Sequence, residues 1–79
     1  MGSTHQLHYK RLVQRLKAAR RSAGLTQAEV AKRLGRPQSF VSKYERGERR
    51  LDVVEFGHVA TAIGFDPVSF LTNFYRELT

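Results

Sequence analysis

The feature that most constrains this chain lies between Leu25 and Gly47, where two short helices are punctuated so closely that little room is left for any other structure. Thr26 has the hydroxyl an N-cap needs, Glu29 three residues on closes a capping box, and Leu25 with Val30 makes a hydrophobic staple across it. Val30, Ala31 and Leu34 give the helix an inner face until Gly35, a residue suited to end it. Arg36-Pro37 opens the next segment, because proline at a first helical position has no amide to leave unpaired, and Gly47 closes it.

The flanking sequence supplies three more helices. Tyr9, Leu12, Val13, Leu16, Ala19 and Ala23 recur at helical spacing, which predicts a first helix from about residue 6 to 23 with Gly24 after it. Asp52 and Glu55 form a second capping box ahead of the stripe Val53, Phe56, Val59, Ala60 and Ile63, which Gly64 terminates. Asp66-Pro67 starts a fifth helix whose residues Phe70, Leu71, Phe74 and Leu78 face the core, while Val68 and Tyr75 lie well round from that stripe. The expectation is one all-α domain over residues 1–79, with a helix-turn-helix at about 26–46 and C-terminal helices over 52–78. A chain of this size removes only about 60% of its unfolded surface from water. A second copy would add to that burial, and Val68 and Tyr75 are the expected dimer contact.

Two charged residues fall on inner faces. Arg20, four after Leu16 and seven after Val13, points toward the core and calls for a carboxylate partner. At about 100° per residue, Phe40, Val41, Tyr44 and Glu45 share the inner side of the third helix. Glu45 is the sole acid between residues 37 and 47, so an Arg20–Glu45 ion pair is predicted to fix how the first and third helices cross. Ser39, Ser42, Lys43 and Arg46 are left on the outer side.

The net charge of +7 is unevenly held: residues 1–50 carry 13 of the 14 Lys and Arg against three acids, and residues 51–79 carry one base against four acids. A basic half of that density favours a polyanion through counterion release, whatever the polyanion's sequence. Several function classes drop out. No run is long and apolar enough to span a bilayer, and neither a signal-peptide core nor a cysteine is present, so no membrane partner and a cytoplasmic location are expected. Strained nucleophile turns, paired carboxylates and glycine-rich phosphate loops are missing, so neither enzymatic activity nor a cofactor is expected. His5 and His8 stand three apart without a third ligand nearby, which reads as a frayed terminus and not as a metal site.

Residues 9–71 resemble the lambda-repressor and Cro type of helix-turn-helix domain, the xenobiotic-response-element family of regulators. The resemblance is carried by Gly24-Leu25-Thr26-Gln27-Ala28-Glu29-Val30-Ala31-Lys32-Arg33-Leu34-Gly35, by Val41-Ser42-Lys43-Tyr44-Glu45-Arg46-Gly47, and by Leu51 onward to Ala62-Ile63-Gly64. It implies that the third helix enters the major groove of double-stranded DNA and the second lies across the backbone. Base contacts would then fall to Gln38, Ser39, Ser42 and Lys43, and phosphate contacts to Gln27, Arg46, Arg49 and Arg50, with Gln27 also bracing Gln38. The family places an ion pair at Arg20 and Glu45 as well. The implied function is a transcriptional repressor binding a pseudo-palindromic operator as a homodimer. An antitoxin or adaptor of the same fold, binding a protein partner through its last two helices and regulating its own operon, stands as the alternative.

Overall fold

The computed structural model describes residues 2–78, with side chains from Thr4 onward. Five helices follow in order: α1 (Gly2–Ser22), α2 (Gln27–Leu34), α3 (Gln38–Glu45), α4 (Val53–Ile63) and α5 (Pro67–Glu77). There is no strand among the described residues.

Both predicted capping boxes form. Thr26 Oγ1 accepts from the Glu29 amide at 3.1 Å while Glu29 Oε1 accepts from the Thr26 amide at 2.8 Å. Asp52 and Glu55 do the same at 2.7 and 3.0 Å. Gly35 takes a left-handed conformation, φ 69°, that a side chain would strain, and its amide reaches the carbonyls of Ala31 and Lys32. That reversal sends the chain from α2 into α3. Asp66 caps α5, with Pro67 in its first turn.

Leu16, Val30, Val41, Tyr44 and Val59 are fully buried and bring α1, α2, α3 and α4 onto one core. Phe56, Phe65 and Phe70 stack beneath it, with Phe65 and Phe70 ring centres 4.7 Å apart, and so fasten α5 to α4. Polar ties add direction: Arg33 donates to the Ala62 carbonyl at 2.9 Å, linking α2 to α4, and Arg15 pairs with Glu77, linking α1 to α5.

Four expectations are corrected. The first helix starts at Gly2 and not near residue 6, which places His5 and His8 on a helix and not on a frayed end; extending an existing helix adds one hydrogen bond per residue without a new nucleus. Ala23 lies past the end of α1 and is exposed. Pro37 has extended ψ, 152°, and is the N-cap of α3, so Gln38 is the first helical residue. Val53 is 81% exposed beside the exposed Val54, because the first turn of α4 precedes the point where that helix meets the core.

Candidate nucleic-acid interface

Packing divides α3 into two faces. Phe40, Val41 and Tyr44 are buried, and Tyr44 is held so far from water that its phenol is pushed well above the ordinary value. Gln38, Ser39, Lys43 and Arg46 are exposed on the other side, and Ser42 is half-buried. Among the described residues the Lys43 ammonium forms no hydrogen bond or salt bridge, its one charged influence being on nearby Glu48.

A chain of hydrogen bonds fixes the exposed face from beneath. Arg20 donates to both Glu45 oxygens, Nε to Oε2 at 2.7 Å and Nη2 to Oε1 at 3.1 Å, and its Nη1 donates to the Leu25 carbonyl at 2.8 Å. The Arg20 side chain is 9% exposed and that of Glu45 only 2%. The hydrogen bond from Arg20 to Glu45, opposed in part by burial, holds the guanidinium even more firmly in its charged form. Gln27 Nε2 donates to Glu45 Oε1 at 3.0 Å, and Gln27 Oε1 then faces Gln38 Nε2 at 3.5 Å. Because a carboxylate only accepts, the Gln27 amide has one sensible orientation, and Gln38 inherits it.

The loop after α3 holds three arginines in three different states. Arg46, exposed, pairs with exposed Glu48 at 2.9 and 3.2 Å and donates to Ser42 Oγ at 2.5 Å. Arg49 grips Glu55 through two bonds of 2.9 and 2.8 Å, donates to the Arg50 carbonyl, and lies with Arg36 against the Phe40 ring. Arg50 forms no ion pair among the described residues and rests on the Tyr9 ring, 4.5 Å from its centre, while Tyr9 Oη accepts from the Leu51 amide at 2.9 Å. Phe40 is thus a packing residue, edge-on to Tyr44 and covered by two guanidinium groups.

Glu55 joins these groups, since its carboxylate accepts from Arg49 and from the Asp52 amide and lies 3.5 Å from Arg36. The Arg49 hydrogen bond, with help from that amide, lowers its pKa to about 2. A carboxylate depressed from its unfolded value near 4.3 adds stability that is complete above that value and is lost as pH falls through the folded one. Glu55→Gln keeps a capping side chain but not the charge. Its melting temperature should lie below that of the unaltered protein at pH 6, and the gap should close between about pH 4.5 and 2; a gap independent of pH would refute the assignment.

Residues 11–70 match a family model described as a helix-turn-helix domain. The chain belongs to the lambda-repressor and Cro type of helix-turn-helix family. This is a family of DNA-binding transcription regulators. An uncharacterized HTH-type transcriptional regulator, y4dJ of Sinorhizobium fredii (strain NBRC 101917 / NGR234), is 42% identical over 53 residues, 67% of this chain and 69% of that protein. An XRE-family like protein from Pseudomonas syringae pv. tomato str. DC3000 superposes with a TM-score of 0.92 at 49% identity, over 96% of this chain and 93% of the other. The restriction-modification controller protein C.AhdI from Aeromonas hydrophila gives 0.76 at 32% identity, over 84% and 96%.

In this helix-turn-helix domain Gln38, Ser39, Lys43 and Arg46 fall on one surface with Arg50 beyond them, while Gln27 lies half-buried behind Gln38. Arg46 and Arg49 are each held by a carboxylate through two bonds, but the Glu55 side chain is 14% exposed against 55% for Glu48, which sets Arg49 apart from the other predicted phosphate contacts. Val68 and Tyr75 are 70% and 58% exposed on α5. Sequence reasoning missed two members of the constellation. The role of Tyr9 as a post for the loop had no signal, because it joins residues 42 apart. Glu55 showed itself only as half of a capping box.

Proposed function

We propose that this helix-turn-helix protein is a sequence-specific double-stranded-DNA-binding transcriptional repressor that acts in the cytoplasm as a homodimer on a pseudo-palindromic operator. The observation that carries the reading is the outer face of α3: Gln38, Ser39 and Lys43 stand exposed on a helix whose inner face is locked by Val41, Tyr44 and the Arg20–Glu45 pair. With α3 in the major groove, Lys43 suits guanine O6 and N7 and Gln38 suits adenine. Gln38 has two amide hydrogens, so bracing by Gln27 leaves one for adenine N7 and leaves Oε1 for N6. Ser39 and Ser42 add shorter-range hydroxyls. Arg46, Arg50 and the second Gln27 hydrogen reach phosphates and set register without reading sequence, and Arg49 contributes less because its partner Glu55, unlike the exposed Glu48 beside Arg46, is shielded from water.

Val68 and Tyr75, exposed on α5, supply the contact between two copies. Two-fold symmetry then spaces the two α3 helices by about one DNA turn, roughly 34 Å. The mechanism needs no cofactor and no catalytic step: occupancy of the operator is the regulatory event.

Selection of bound duplexes from random sequence at fixed, stated salt tests the reading. An inverted repeat with half-site centres about 10 base pairs apart is the expected result. Equal retention of all sequences would leave only nonspecific attraction to a polyanion, and stoichiometric co-purification of a second protein on α4 and α5 with no operator recovered would favour the antitoxin or adaptor.

A further inference from the structure

A groove of about 390 Å3 runs between the first turns of α1 and the loop after α3, lined by Gln6, Tyr9 and Lys10 on one side and Arg46, Gly47 and Arg50 on the other. The lining from α1 lies outside the segment that the helix-turn-helix family model matches, which begins at residue 11. Three cations converge there. Lys10 is exposed and has no ionic partner among the described residues. Arg50 lies on the Tyr9 ring, an arrangement that immobilises the guanidinium while using none of its N–H groups. Arg46 is engaged by Glu48, but that pair is about half exposed at both ends, 56% and 55%, and water screens exposed ion pairs so well that a competing anion displaces it readily.

The groove is also held in shape. Tyr9 Oη accepts from the Leu51 amide, which pins the start of α1 against the loop, and Gln6 stands one helical turn before Lys10 on the same side. Arg46 belongs both to this groove and to the exposed face of α3, where Lys43 lies three residues before it. A singly charged, multi-oxygen anion alongside the major groove is what such a site takes, and in duplex DNA that is a backbone phosphodiester.

We propose that the groove is a phosphodiester site in which Lys10, with Gln6, grips the backbone flanking the half-site together with Arg46 and Arg50, and Glu48 holds Arg46 until the phosphate replaces it. The inference rests on the DNA-binding reading above. It extends the footprint of each protomer beyond what α3 and its loop would cover.

The test compares Lys10→Gln with Arg11→Gln, an exposed neighbour that loses the same charge outside the groove. At 0.15 M salt Lys10→Gln should bind both the selected operator and unrelated duplex about fivefold more weakly per protomer, with a salt slope smaller by about 0.9 per protomer and so by about 1.8 for the dimer, as loss of one phosphate contact from each copy requires. Arg11→Gln should change affinity by less than about twofold. Neutralising backbone phosphates one at a time with methylphosphonates should reveal a position that weakens the unaltered protein but not Lys10→Gln. Equal losses in the two variants, or no such position, would overturn the groove while leaving operator recognition intact, provided the unaltered protein discriminates and Lys43→Ala relaxes the preference at one base pair of each half-site. Failure of the unaltered protein to bind any duplex would overturn both.

Discussion

Glu45→Ala should destabilise the domain by about 3–5 kcal/mol, the cost of leaving a buried charge without its partner. The decisive quantity is exposure. At 2% for the Glu45 side chain and 9% for Arg20, water cannot replace what either loses, unlike the half-exposed Arg46–Glu48 pair. Alanine would strip Arg20 of two hydrogen bonds and Gln27 of one, leaving a guanidinium with only the Leu25 carbonyl. In a domain of this length each kcal/mol moves the melting point by about 4–8 °C, so thermal unfolding followed by circular dichroism should show a fall of at least about 12 °C. Arg20→Met with Glu45→Leu should recover most of that stability, since a well-packed apolar pair replaces a buried ion pair at little cost. Recovered stability should not restore operator discrimination, because Gln27 would have lost the acceptor that sets its orientation. A loss below 1 kcal/mol for Glu45→Ala would show that the pair is solvated and does not fix the helix crossing.

That ion pair also marks how far local pattern reaches. Arg20 and Glu45 were legible because each interrupts an otherwise apolar helical stripe, and two misplaced opposite charges in a small chain have few partners but each other. The caps at Thr26, Asp52 and Asp66 were legible for a similar reason: their chemistry is completed within three residues. Arg49 shows where pattern ends. It was grouped with Arg46 and Arg50 as a phosphate contact, yet its partner Glu55 lies across a loop whose path no spacing rule gives, and the capping box already accounted for Glu55. Tyr9 is the same case at longer range: the apolar stripe placed its ring, and only the fold brings its hydroxyl to the Leu51 amide. Val53 failed for the opposite reason. It satisfies the periodicity of α4, but a helix contacts the core over part of its length, and periodicity alone does not say where that contact begins. The exposed face of α3 was legible as what remained once the inner residues were assigned.

Lys43→Ala and Gln38→Ala should each cost about 1–3 kcal/mol per half-site on the selected operator and relax the preference at one base pair in each. Both symmetric half-sites carry the change, so a dimer loses twice that on its full site. Affinity for unrelated duplex should fall little for Gln38→Ala, which removes no charge, and modestly for Lys43→Ala, which removes one phosphate-attracting cation. The two variants therefore separate reading from gripping in a way that Arg46→Ala or Arg50→Ala does not, since the latter should weaken all sequences alike. Fold is not the confounding factor, because Gln38 and Lys43 are exposed and bear on no buried side chain, the long Gln38–Gln27 contact aside. Repeating the selection with each variant at the same salt measures the outcome directly. Unchanged preference at every position in both would move base recognition off the outer face of α3, whereas loss of preference confined to one position per half-site assigns that base pair to the residue removed.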